Sequence, residues 1–248
     1  MDSVHQPRFM QCNNAKSIVI FIHGFMGSPN QFYDLMEVVY RNGLSAASVL
    51  LPGHGRSKMD FVKATLQSWE QHLQKELERY QNYEHIYLVG HSIGGLLALS
   101  ATIEGKQKIE KVVLLSTPLK VYLFNPISWF RKFCIHIGIG NNEVRAAYKN
   151  ANSIGKVFPY CVLWFRVLLQ PHKLMRKLKR KLGIIKIPIL VIHSKKDETV
   201  SWKSAELFDK GLTGSVHEMV TLNHSHHAYY TKEERQCIAQ KLLAFIID

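Results

Sequence analysis

The chain has 248 residues, 46% of them hydrophobic, four cysteines and a formal net charge of +13. That size and apolar content suit one large α/β domain or two small ones and exclude a disordered chain. Cys12, Cys134, Cys161 and Cys237 lie far apart without a C-x-x-C pair, which excludes a disulfide framework or a familiar zinc site.

The first sixteen residues are polar and lack an apolar h-region, so no signal peptide is expected. The first apolar β-branched run, 17–22, reads as a strand and leads into Phe21-Ile22-His23-Gly24-Phe25-Met26-Gly27-Ser28. A helix is expected over 31–41, a strand over 46–51, then the glycine-rich turn Leu51-Pro52-Gly53-His54-Gly55, in which Ser57 just beyond reads as incidental. A helix over 62–80 follows, and then a strand over 86–89. That strand joins a helix over 93–103 through Gly90-His91-Ser92-Ile93-Gly94. Gly-x-Ser-x-Gly at a strand-to-helix corner lifts a serine hydroxyl clear of the sheet at a helix N-terminus. Alone, the pattern is weak, and its context must carry it.

After a strand over 111–116 the alternation fails between 118 and 184, where Pro118, Pro126, Pro159 and Pro171 break an aromatic, basic segment into short pieces. Those residues hold thirteen Lys or Arg and one acid, Glu143, so nearly all the net charge sits there. Within it, 173–182 places Leu174, Met175, Leu178 and Leu182 on one helical stripe beside cations. Regular structure resumes with strands over 187–193 and 216–222 and helices over 203–210 and 232–247. The last helix is preceded by Thr231 with Glu234 three residues on, a capping box. Strands alternating with helices predict a mostly parallel, doubly wound sheet, with ligands beyond its C-terminal strand ends.

A serine hydroxyl becomes a nucleophile when a histidine takes its proton and a carboxylate fixes that histidine. Asp197, in the loop leaving the 187–193 strand, is the expected acid because of its short side chain, with Glu198 adjacent as the alternative. His224, His226 and His227 compete for the base in the loop after the last strand. Backbone N–H groups of Phe25 and Ile93 are placed to hold a developing oxyanion, with Met26 lining the pocket and His23 bracing the loop.

The ordered motifs His23-Gly24-Phe25-Met26-Gly27-Ser28, Leu51-Pro52-Gly53-His54-Gly55, Ser68-Trp69, Gly90-His91-Ser92-Ile93-Gly94-Gly95 and His193-Ser194-Lys195-Lys196-Asp197-Glu198 resemble α/β-hydrolases of the bacterial carboxylesterase and monoacylglycerol lipase type. The order Ser92, Asp197, histidine is also that of the α/β-hydrolase fold. The resemblance implies a core from 1–117 and 185–248, with 118–184 as an inserted helical cap. It implies His227 as the base, following Ser225 and His226, where family members usually carry Ser-Gly-His. It implies hydrolysis of short- or medium-chain acyl esters, monoacylglycerols among them, through an acyl-Ser92 intermediate needing no metal or cofactor. Thioester, amide and acyl-transfer chemistry use the same triad, and a silent binding scaffold is the alternative from another class.

In the cap, Phe124, Trp129 and Trp164 are expected to line an acyl-accepting cavity. The basic stripe of 173–182 could lie on an anionic membrane surface or be a solvated cap helix. No nucleic-acid motif accompanies the charge, so no nucleic acid is expected as partner. Charges interrupt the longest apolar stretches, which predicts a soluble, cytoplasmic protein.

Overall fold

Each apolar run expected as a strand is one in the structure, a computed structural model describing residues 5–122, 142–154 and 165–247. They are β2 (Ser17–Ile22), β3 (Ser45–Val49), β4 (His85–His91), β5 (Ile109–Leu115), β6 (Ile189–Ser194) and β7 (His217–Leu222). A further strand, β1 (Phe9–Met10), pairs antiparallel with β3. Two residues are too few to show a period in sequence. The sheet order is β1-β3-β2-β4-β5-β6-β7, and every other pairing is parallel.

The continuous apolar character of the strands follows from burial on both faces. Ile18, Ile20 and Ile22 point into one cluster with Leu88, Val112 and Leu114. Val19 and Phe21 point into another with Val89, Val113 and Leu115. The helices are α1 (Tyr33–Arg41), α2 (Lys58–Lys63), α3 (Leu66–Arg79), α4 (Ile93–Glu104), α5 (Asn142–Ala151), α6 (Phe165–Lys179), α7 (Lys203–Gly211) and α8 (Lys232–Ile247). α1 and α8 cover the second cluster, while α3, α4 and α6 cover the first. Among the described residues no helix is long and apolar enough to cross a membrane.

Three expectations are corrected here. The helix expected over 62–80 is two helices, because Ala64 is extended at ψ 141° and Thr65 caps α3 through a capping box with Ser68. Ser57 is not incidental: its side chain caps α2 in a second capping box with Asp60. Pro171 does not break the chain but lies inside α6.

The reason is packing. A proline inside a helix costs about 3 kcal/mol, whereas α6 buries Val167, Leu174, Met175 and Leu178 at no more than 4% exposure against the body. Each such side chain stabilises by roughly 1.5–3 kcal/mol, so burial wins. α6 is therefore the crossover helix that returns the chain to β6, packed on α2, α3 and α4. The apolar stripe of 173–182 faces the core, and its cations, Lys173, Arg176, Lys177, Lys179, Arg180 and Lys181, are exposed.

Leu178→Ala should therefore lower unfolding free energy by about 2–5 kcal/mol. Chemical denaturation would measure it, and a change below about 0.5 kcal/mol would mean a surface helix instead.

Candidate active site

Ser92 occupies the corner between β4 and α4 at φ 54° and ψ −121°. Such a backbone costs a non-glycine residue of order 1–3 kcal/mol, and it needs surroundings that leave no alternative. Those surroundings are tight. A Cβ on Gly94 would lie 2.1 Å from the Ile22 carbonyl oxygen, and one on Gly90 would lie 2.4 Å from Gly95 Cα. Only glycine lets the first turn of α4 press this closely on β2 and β4. The Ser92 N–H donates to the Leu115 carbonyl of β5 at 2.8 Å, locking the corner to the sheet.

The His227 ring stands with Nε2 3.1 Å from Ser92 Oγ and Nδ1 2.8 Å from Asp197 Oδ2. Nδ1–H donating to the carboxylate leaves Nε2 free to accept from the serine hydroxyl. Asp197 follows β6, and its other oxygen accepts from the Thr199 and Val200 N–H groups at 2.8 and 2.7 Å. The competing residues go elsewhere. His226 turns its Nδ1 to Glu198 at 3.2 Å, and His224 is exposed. Glu198 is 2% exposed and accepts from the His227 backbone N–H at 3.3 Å.

The loop after β2 lies against the corner, where a Cβ on Gly24 would meet His91 Nδ1 at 2.8 Å and Ser92 Cβ at 3.0 Å. Phe25 follows, its ring edge-on to Phe61 and Trp69. Ile93 is the first residue of α4, so its N–H has no partner within the helix. Met26 is partly buried against the core at φ 60°. His23 Nδ1–H donates to the Gly24 carbonyl and Nε2 accepts from the Leu51 N–H, which ties the loop to the end of β3. Phe124, Trp129 and Trp164 lie outside the described residues.

Residues 13–234 match the family described as serine aminopeptidase, S33. The chain belongs to that family. It is 26% identical over 239 residues to a thermostable monoacylglycerol lipase of Bacillus sp. (strain H-257), covering 92% of this chain and 89% of the relative. In fold it is similar to a structure of the metagenome-derived lipolytic enzymes LipS and LipT, with TM-score 0.79, 21% identity and 98% of each chain covered. It is similar also to the monoacylglycerol lipase of Paleococcus ferrophilus, with TM-score 0.70, 16% identity and 96% and 99% coverage. It is thus a serine hydrolase of the α/β-hydrolase fold.

Two further residues of this S33 hydrolase hold the histidine loop. His91, next to the serine, donates Nε2–H to the His227 carbonyl at 2.8 Å and so holds the histidine loop. The Glu234 carboxylate accepts from the N–H groups of Asn223, His224 and Ser225 at 2.6, 3.0 and 2.7 Å. This corrects the expected capping box. Thr231 Oγ1 does accept from the Glu234 N–H at 3.3 Å, but the Glu234 side chain holds the histidine loop instead. Thr231-x-x-Glu234 was the available signal, and it named the right residue for the wrong partner.

Burial would raise the Asp197 carboxyl, but the His227 ring and the backbone donors outweigh it and lower the group from 3.8 to about 2. Burial lowers His54 to about 4 and His91 to about 3, the His227 ring adding to the effect at His91, and burial carries His23 well below its usual value. The folded chain refuses these three protons while the unfolded chain takes them near pH 6.5, so stability is full above that pH and is lost as pH falls toward the folded values. Asp197 acts in the same direction, but only as pH drops from 3.8 toward about 2. His193, also lowered by burial, adds to the same trend, so stability should fall as pH drops from 7 to 5. Denaturant midpoints at pH 7, 6 and 5 would show it, and equal midpoints would refute the neutral burial of these rings.

Proposed function

We propose that this hydrolase cleaves carboxylic esters through an acyl ester on Ser92. His227 takes the hydroxyl proton as Ser92 attacks the carbonyl, and Asp197 steadies the resulting imidazolium. The Phe25 and Ile93 N–H groups receive the oxyanion, helped by the dipole of α4. His227 then protonates the leaving alcohol, and later activates the water that releases the acid. No step calls for a metal or cofactor. The observation carrying this reading is the unbroken Ser92-His227-Asp197 hydrogen-bond relay at 3.1 and 2.8 Å, set on a corner that presents the hydroxyl.

The substrate class we favour is a short- or medium-chain acyl ester, monoacylglycerols included. It is supported by similarity to a monoacylglycerol lipase over 92% of this chain and by Phe25, a partly buried ring packed on the core rings of Phe61 and Trp69 in the loop next to the corner. Met26 adds an apolar side chain to the same loop.

Ser92→Ala should lower kcat by about five to six orders of magnitude, and Asp197→Asn by about four. A fluorophosphonate should label the wild type and not Ser92→Ala. Esters graded by acyl length, run beside a matching thioester and an aminoacyl amide, should show the ester turned over fastest. A Ser92→Ala protein retaining more than about 1% of activity would overturn the nucleophile. A faster amide would move the function to peptide bonds.

A further inference from the structure

The segment from α5 to the turn after it makes polar contacts with all three loops that meet at Ser92. In the loop after β2, the Met26 carbonyl accepts from the Ser153 N–H at 3.0 Å, and the Gly27 carbonyl accepts from Ser153 Oγ at 2.6 Å. In the same region Asn30 Nδ2 donates to the Asn150 carbonyl at 2.9 Å. In the acid loop, the Tyr148 hydroxyl donates to Glu198, whose other oxygen accepts from the His227 N–H. In the histidine loop, the Tyr229 hydroxyl donates to Glu143 at 2.5 Å.

Two of these contacts fall where the backbone needs holding. Met26 has a φ of 60°, unfavourable for any residue with a Cβ, and both Ser153 bonds land on the carbonyls at and just after it. Ser153 is 8% exposed and Glu198 2%, so little water would replace a lost partner, and the Glu198 oxygen bonded by Tyr148 would keep the Thr199 hydroxyl at 3.3 Å as a longer contact. Relaxation of the peptides at 26 and 27 would swing the Phe25 N–H, one residue away. Relaxation at Glu198 would free the backbone of His227.

We propose that α5 braces the reaction centre, with Ser153 a positioning residue for the oxyanion loop and Tyr148, acting through Glu198, a positioning residue for His227. The proposal rests on the acyl-Ser92 reading. It makes the cap segment part of the catalytic geometry and not only a cover over the substrate. None of these side chains touches the reacting atoms, so their loss should slow the chemical step and leave ground-state binding nearly intact.

The test compares wild type, Ser153→Ala, Tyr148→Phe, Glu198→Ala and Glu198→Gln on p-nitrophenyl butyrate, with an alkyl trifluoromethyl ketone as an inhibitor whose adduct carries an oxyanion. Ser153→Ala and Tyr148→Phe should each lower kcat about ten- to a hundredfold with KM within about twofold. Ketone inhibition should weaken in parallel for Ser153→Ala. Glu198→Gln, which keeps an acceptor oxygen, should recover most of the kcat lost in Glu198→Ala. Melting temperatures identify any variant that is merely unfolded. Unchanged kcat, a loss confined to KM, or unaltered ketone inhibition in Ser153→Ala would overturn the brace while fluorophosphonate labelling of the wild type still upheld the nucleophile. An unlabelled wild type would overturn both.

Discussion

The conformation at Ser92 is the constraint from which the rest of the molecule follows. A left-handed backbone at a residue with a side chain is unfavourable in isolation, so the chain must make every alternative worse. It does so with buried parts of the fold: β4 and β5 in the middle of the sheet, and α4, which is buried from Ile93 to Ala101. The serine is thereby fixed to the core and not to a loop. The other groups of the proposed relay are carried to it.

Those groups arrive on loops, and the acid and histidine loops are tied down by carboxylates that collect backbone donors. Asp197 takes the N–H groups at 199 and 200, Glu234 those from 223 to 225, and Glu198 that of His227. His91 works in the opposite sense, as a neutral donor to the His227 carbonyl. In a low-dielectric setting such bonds are strong when made and costly when broken, which suits loops that must hold sub-ångström geometry without secondary structure of their own.

The sheet and the corner serine were legible because their determinants are local. A strand buried on both faces announces itself as an apolar β-branched run, and a glycine on either side of a serine records a close approach that no other residue tolerates. The proposed acid and base were legible as sets of neighbours, Asp197 or Glu198 and His224, His226 or His227. Choosing within each set required knowing which way a side chain turns, which depends on partners over a hundred residues away, as in His227 with Ser92. The split between α2 and α3 could have been read from Ser57-x-x-Asp60 and Thr65-x-x-Ser68. The contacts of Tyr148 and Ser153 could not, since nothing local marks a tyrosine or serine whose partner lies in another loop.

α6 bears on how such an enzyme can change over evolutionary time. Because Val167, Leu174, Met175 and Leu178 belong to the core, an exchange on that face of α6 is felt first as a loss of packing, although the composition there is basic. Tyr148 and Ser153 face a different constraint, since each is bonded to a loop beside Ser92. Selection for a new acyl group must then respect both, because an exchange that disturbs either one costs stability or geometry before it can alter specificity.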